Sequence, residues 1–288
     1  MTDDRKPAAV VAVGIDGSRA ALDAALWAVD EAVHRDIPLR LVYAIPPRSA
    51  GAADACDQAA RDLAEAEVAV RYAFTAVEST NTPVKVEVEI LQDTAVAALR
   101  EVSRSAVLLC VGAVGFNDAA AHRVGSTAAA IAISAHCPVA VVRSPHGGSS
   151  AQGCVVADVS QPSTRGAVLE GAIAEAQLRG LPLRAVTTWQ SHFGDGYDSH
   201  AVADRNRLAR AELDRRLAPW RARYPDVDLT PVVAHGTTLN YLAQQSRSIQ
   251  IVVVGRGRGA TDIVGPAGYP VLQNTGCSVL VCGSDGPL

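Results

Sequence analysis

Three glycines and two hydroxyl residues follow one apolar segment with a spacing suited to anion binding. The residues are Gly112, Gly115, Gly125, Ser126 and Thr127, in the pattern G-x2-G-x9-G-S. A glycine lets the backbone turn sharply and approach a ligand closely, because no Cβ stands in the way. At a helix start, free N–H groups and the two hydroxyls would face negatively charged oxygens. The pattern therefore predicts a cradle for a polyphosphate.

A carboxylate, Asp16, follows another apolar segment, in the sequence Gly14-Ile15-Asp16-Gly17-Ser18. At the end of a strand it could accept hydrogen bonds from ribose hydroxyls and assist a Mg²⁺ ion. Both patterns also have a simpler interpretation, as turns and helix caps. We favour ligand binding, because the glycines, the hydroxyls and the carboxylate all lie at predicted strand-to-helix junctions.

Strand-like and helix-like segments alternate through the first half of the chain. Continuous apolar runs predict buried strands, amphipathic or Ala-rich runs predict helices, and the alternating run 84–91 predicts an edge strand. This order predicts an α/β fold, a mainly parallel sheet with helices on both faces and ligands at the carboxyl ends of its strands. The predicted strands are 9–15, 39–45, 84–91, 106–111 and 139–142, and the predicted helices are 20–34, 54–79, 93–103 and 126–135.

The second half of the chain repeats the first. Residues 35–44 match residues 179–188 at an offset of 144, and each half opens and closes with an apolar strand pattern. Residues 144–150 between them have the Ser, Pro and Gly content of a linker. We therefore predict two Rossmann-like domains, 1–147 and 148–288, each with a five-stranded mainly parallel sheet.

Composition excludes several classes of protein. The chain has 288 residues, 49% of them hydrophobic and 19% charged, which is enough for two packed cores. A net charge of −4 without a basic run argues against nucleic-acid binding. The six cysteines have no zinc-site spacing. With no apolar segment long enough for a membrane and no secretory pattern at the polar N-terminus, we expect a soluble cytoplasmic protein.

The first half resembles a universal stress protein domain, and the whole chain resembles the tandem form of that family. The resemblance rests on residues 13–18, residues 41–44 and the glycine set that ends in Gly125-Ser126. In members that bind ATP, the glycine motif holds the phosphates. The first-strand Asp and a backbone group late in the second strand hold the ribose and adenine. The resemblance thus implies that Asp16 meets the ribose, the Ala44 main chain meets the adenine, and the ribose and phosphates meet Gly112, Gly115, Gly125, Ser126 and Thr127.

The second half departs from this pattern. At the repeat offset Asp16 falls on Ser160, and Asp158 lies two residues early. The glycine region is Gly255-Arg256-Gly257-Arg258-Gly259 followed by Gly265-Pro266, in which the gap is shorter and proline replaces the serine. Proline removes a backbone donor and the hydroxyl together, so we expect a lost or altered nucleotide site. Arg256 and Arg258 could still attract an anion.

The residues leave three functions open. We expect an ATP-binding regulatory protein of a stress response; the alternatives are an interaction protein with vestigial nucleotide sites and a weak ATP hydrolase. No nucleophile–base pair or Walker-type motif is recognisable, so we assign no catalytic and no metal-ligating residue. The last strands of the two halves are short apolar edges, which predicts pairing of the halves within one chain. Two chains could then associate as a homodimer, which the sequence does not determine.

Overall fold

The chain separates into two compact units, Met1–Ser144 and Pro145–Pro287. The linker composition had suggested a division near residue 148. The computed structural model describes residues 9–47, 55–114, 124–143, 153–190, 199–245 and 248–283.

The first unit alternates strands and helices along the chain. Each element predicted for this half is present, with ends shifted by at most two residues. The elements are β1 (Val10–Ile15), α1 (Arg19–His34), β2 (Leu39–Ile45), α2 (Ala55–Glu78), β3 (Val86–Gln92), α3 (Ala95–Val102), β4 (Ala106–Gly112), α4 (Ser126–Ser134) and β5 (Val139–Val142).

The five strands of this unit form a parallel sheet in the order β3-β2-β1-β4-β5. Helices α1 and α2 pack against each other on one face, and α3 and α4 pack against each other on the opposite face. The strand order reverses between β1 and β4, which is where α/β sheets open a crevice for a ligand. The predicted α/β fold and the edge position of the alternating strand β3 are confirmed.

Small and β-branched side chains bring the layers of this unit close together. Residues Val10 to Val13 of β1 are fully buried, as are Ala24, Ala25 and Ala28 of α1, which packs on β1 and β4. Alanine on the inner helix face allows α1 to lie near the sheet, so the ends of β1 and β4 stay close to the first turn of α1.

Among the residues that the structure describes, the second unit repeats this topology and contains one more short helix than the first. Its strands are parallel in the order β8-β7-β6-β9-β10. The register also repeats, because Val155 pairs with Leu183 as Val11 pairs with Leu39. The elements are β6 (Cys154–Asp158), α5 (Arg165–Arg179), β7 (Leu183–Trp189), α6 (Ser199–Arg223), β8 (Leu229–His235), α7 (Thr238–Gln244), β9 (Ile249–Gly255), α8 (Arg258–Val264), α9 (Tyr269–Thr275) and β10 (Ser278–Cys282).

Within the described segments, no helix has the length and apolar character needed to cross a lipid bilayer. All six cysteines are free thiols, and five of them are buried. The five buried cysteines therefore contribute to the cores as small apolar side chains.

Candidate functional site

A cavity of about 410 Å³ lies in the first unit over the carboxyl ends of β1, β2 and β4. Its position matches the crevice expected where the strand order reverses. Six of the seven residues predicted for the nucleotide site line this cavity, and the seventh, Gly115, lies outside the described residues. The six are Asp16, Ala44, Gly112, Gly125, Ser126 and Thr127.

Asp16 is both a turn residue and a cavity residue. One oxygen of its carboxylate, Oδ1, accepts a hydrogen bond from the Ser18 N–H at 2.9 Å, and Gly17 between them has a φ of +78°. Ser18 Oγ in turn caps α1 by accepting from the Ala21 N–H at 3.0 Å. The capping turn that was the simpler interpretation is therefore present, and it holds the carboxylate at the cavity wall.

The start of α4 presents backbone donors to the same cavity. Its cap residue is Gly125, which has no side chain to accept from the first turn, and the first bond within the helix runs from the Ala129 N–H to the Gly125 carbonyl at 3.0 Å. The N–H groups of Ser126, Thr127 and Ala128 therefore have no acceptor within the helix. All three residues line the cavity, so this helix end is arranged to receive an anion.

Gly112 is a glycine for a different reason from the one that the sequence suggested. A Cβ at this position would lie 2.6 Å from the carbonyl carbon of Ala20 and 2.8 Å from the Ala21 nitrogen. The close approach is therefore between the end of β4 and the first turn of α1. Gly255 of the second unit likewise permits close packing, because a Cβ at this position would overlap Thr164. Gly112 still lines the cavity, but packing alone accounts for its lack of a side chain.

One apolar wall of the cavity was not predicted from the sequence. Ala95 and Leu99, on one face of α3, line the cavity together with Val42 of β2. Leu99 packs so closely over β1 that a Cβ on Gly14 would lie 3.0 Å from its Cδ1. The spacing of four residues between Ala95 and Leu99 indicates a shared helix face, but it does not reveal which surface that face covers.

The rim of the cavity near β2 is acidic. Burial raises the pKa of the Tyr43 phenol above its ordinary value of 10.0, and the carboxylates of Glu65, Asp16 and Asp62 raise it further. The cavity thus has negative charge near the end of β2 and open backbone donors at α4. Across the described chain, no group of His, Cys, Asp and Glu side chains is arranged to bind a metal ion.

In the second unit, side-chain hydrogen bonds cross the corresponding region. The Thr188 N–H, at the position of Ala44 in the repeat, donates to Ser160 Oγ at 3.1 Å. Asp158 occupies the position of Gly14 in the repeat, because it pairs with Val186 as Gly14 pairs with Val42. The Asp158 carboxylate accepts hydrogen bonds from the Ser160 N–H at 3.0 Å and from Thr238 Oγ1 at 2.8 Å. The polar groups of these four residues therefore bind one another. The equivalent residues of the first unit line its cavity instead; they are Gly14, Asp16, Ala44 and Ala95.

The alignment of Gly265-Pro266 with the start of α4 was wrong. Gly265 ends α8, where its N–H donates to the Thr261 carbonyl at 3.0 Å. The helix equivalent to α4 is α9, whose cap Gly268 lies thirteen residues after Gly255, as Gly125 lies thirteen residues after Gly112.

The start of α9 lacks hydrogen-bond donors that the start of α4 presents to its cavity. Tyr269 and Pro270 stand at the positions of Ser126 and Thr127, and Tyr269 is buried. Both aliphatic hydroxyls and one backbone N–H are therefore missing from this helix start. With this corrected alignment, we still expect a lost or altered nucleotide site in the second unit.

Comparison with known proteins points to one family along the whole chain. The family model described as the universal stress protein family matches residues 9–143. Universal stress protein Rv2028c of Mycobacterium tuberculosis is 50% identical, with 98% of this chain and 99% of the relative covered. Universal stress protein Rv3134c of the same organism is 42% identical, with 96% and 97% covered.

Solved structures show the same architecture. A universal stress protein from Archaeoglobus fulgidus superimposes with a TM-score of 0.67, covering 96% of this chain and 97% of that chain. The two sequences are only 16% identical, so this likeness concerns the fold.

Proposed function

The chain belongs to the universal stress protein family, in its tandem two-domain form, and from this premise we propose that its first unit binds ATP as a regulatory ligand in a stress response. One observation carries the proposal. The cavity where the strand order reverses has the Asp16 carboxylate on one side and the uncapped start of α4 on the other. A nucleoside polyphosphate has hydroxyls and anionic oxygens that match these two sides.

The cavity also suits the size and shape of a nucleotide. A volume of about 410 Å³ is within the usual range for small-molecule sites. We assign the adenine to the Ala44 main chain beside the apolar wall, the ribose to Asp16, and the phosphates to the glycine motif with Ser126 and Thr127. Mg²⁺ would enter with the polyphosphate, and Asp16 is the carboxylate that lines the cavity.

The lining favours binding over turnover. Among the described residues around the cavity, none is a histidine, lysine or cysteine, and the Asp16 carboxylate, which could accept a proton from water, is assigned to the ribose. We therefore propose slow hydrolysis at most, with ATP occupancy itself as the signal. The interaction protein with vestigial sites is the competing function, and it predicts no affinity for ATP.

We place this function in the cytoplasm. Six free cysteines and the absence of any disulfide among them are expected of a protein in a reducing compartment.

The test is calorimetric titration of ATP into the wild type and into Asp16→Ala. Removing a charged hydrogen-bond acceptor from a ribose should weaken ATP binding roughly 10- to 100-fold. Asp158→Ala is the matched control, because it removes a carboxylate at the end of the equivalent strand of the second unit. Its ATP affinity should equal that of the wild type.

Two results would overturn the proposal. If the wild type shows no affinity for ATP, the interaction-protein function replaces it. If Asp16→Ala binds ATP as tightly as the wild type, the ribose is not at the end of β1.

A further inference from the structure

One face of α2 exposes apolar side chains to solvent. The stripe formed by Ala66, Val70, Ala73 and Val77 is buried in the first unit. On the opposite side Val68 is 70% exposed and Tyr72, one turn later, is 62% exposed. We define the α2 face as the exposed residues Arg61, Ala64, Glu67, Val68, Arg71, Tyr72, Thr75 and Glu78, six of which line a shallow groove.

The apolar side chains of this face form a patch. Val68 and Tyr72 are four residues apart and therefore lie side by side on the helix. Ala64 lies one turn before Val68, and the stem of Arg71 adds methylene groups. Single exposed apolar residues are ordinary on protein surfaces, but a contiguous patch rimmed by charges marks an interaction site.

The charged residues of the α2 face are ordered so that they complement an antiparallel second copy of the same face. Arg61 and Glu78 lie equally far from the midpoint between Ala69 and Val70, and so do Ala64 and Thr75. An antiparallel copy of the helix centred on that midpoint would place Arg61 of each copy opposite Glu78 of the other copy. It would also bring each Glu67 close to Arg71 of the other copy. Within the described chain, none of these four charged side chains forms an ion pair.

The spacing of this face also suits helix pairing. Residues 61, 64, 68, 71, 75 and 78 follow one another at intervals of three and four, which is the seam of a left-handed helix pair. Small residues, Ala64 and Thr75, would meet near the ends of the seam, and Val68 would pack against the Arg71 stem near its centre. An isologous contact requires this kind of two-fold symmetry in a surface.

We propose that the α2 face binds a second copy of this chain, through an antiparallel two-fold contact between the two α2 helices. The occupant is another copy because the order of charges along the face is complementary to its own reverse. The seam from 61 to 78 is about 27 Å long at the rise of an α-helix. One helix pair of this length buries less than a standard interface, so the dimer is weak and depends on concentration.

The first experiment is sedimentation velocity of the full chain over a concentration series. Val68→Lys should raise the dimer dissociation constant roughly tenfold or more, because each new ammonium group would face the Arg71 guanidinium of the other copy at the centre of the contact. Leu208→Lys is the matched control, since Leu208 on α6 is 72% exposed and lies outside the α2 face. It should dimerise as the wild type does. Far-ultraviolet circular dichroism of both variants checks that each is folded.

The second experiment tests the register by charge reversal. Arg61→Glu should weaken the dimer, because each substituted residue would face Glu78 of the other copy. Combining Arg61→Glu with Glu78→Arg should restore wild-type association, because both ion pairs re-form with reversed sign. A monomeric wild type at all concentrations, an unchanged dimer in Val68→Lys, or a double variant no tighter than Arg61→Glu would each overturn the proposal.

Discussion

At the scale of residues, four positions distinguish the crevice of the first unit from the equivalent region of the second. In the first unit Gly14, Ala44 and Ala95 have little or no side chain, and Asp16 stands at the rim. In the second unit Asp158 and Ser160 use their oxygens to bind Thr238 and Thr188. Buried or half-buried polar groups that satisfy one another have little to gain from a ligand.

The sequence predicted part of this contrast. Placing Ser160 opposite Asp16 needed only the repeat offset. The bonds that Ser160 forms were not predictable, because they depend on how β6, β7 and α7 approach one another in space.

Tyr43 gives a prediction about pH. Its pKa is raised, first by burial and then by nearby carboxylates, so the folded chain keeps the phenol proton at a pH where the unfolded chain has lost it. This contribution to stability is complete below pH 10 and is lost as the pH rises through the pKa of folded Tyr43. The absorbance titration of the wild type minus that of Tyr43→Phe should show one transition, centred above pH 10.

A difference titration centred at or below pH 10 would contradict the acidic, partly buried rim. The other five tyrosines are present in both proteins and cancel in the difference.

At the scale of elements, two equivalent helix starts differ in what they offer an anion. Helix α4 begins with Gly125 and two hydroxyl residues, whereas α9 begins with Gly268, Tyr269 and Pro270. The helices occupy the same place in the two units and follow the same strand of the repeat. The proposed difference in anion binding therefore comes from side chains and one missing N–H rather than from topology.

Thr127→Pro tests the role of α4. Proline is tolerated in the first turn of a helix, but it removes one N–H and the hydroxyl from the cavity. ATP affinity should fall about tenfold or more. AMP has no β- or γ-phosphate, so its affinity should fall less. Titration of both nucleotides into the variant and the wild type measures the difference.

Ser134→Ala, at the last turn of the same helix, is the control. The Ser134 hydroxyl donates to the Ala130 carbonyl at 2.8 Å and does not line the cavity. Both nucleotides should bind this variant normally. Equal losses of ATP and AMP affinity in Thr127→Pro would show that α4 does not discriminate the outer phosphates.

Most elements of the first unit were predictable because apolar periodicity marks them directly. The helix start that we predicted at Gly265, by contrast, was wrong. Glycine is common both before a helix and after one, so sequence alone did not show that Gly265 ends α8. Likewise, the packing reason for Gly112 appears only when α1 is seen against β4.

At the scale of the whole molecule, the two units share a fold and a strand register and differ in the proposed nucleotide site. Domain 1–147 and domain 148–288 were predicted with a complete site and a degenerate one. The cavity of the first unit and the hydrogen bonds across the second support that division of roles. We therefore predict one nucleotide for each chain.

The most direct test is the number of ATP molecules bound per chain. The wild type, Asp16→Ala and Asp158→Ala are dialysed to equilibrium against the same ATP concentration, and bound nucleotide is quantified after heat denaturation. We predict about one ATP per chain for the wild type and Asp158→Ala, with little or none for Asp16→Ala. Two ATP per chain in the wild type, or ATP lost from Asp158→Ala and kept by Asp16→Ala, would contradict a single site in the first unit.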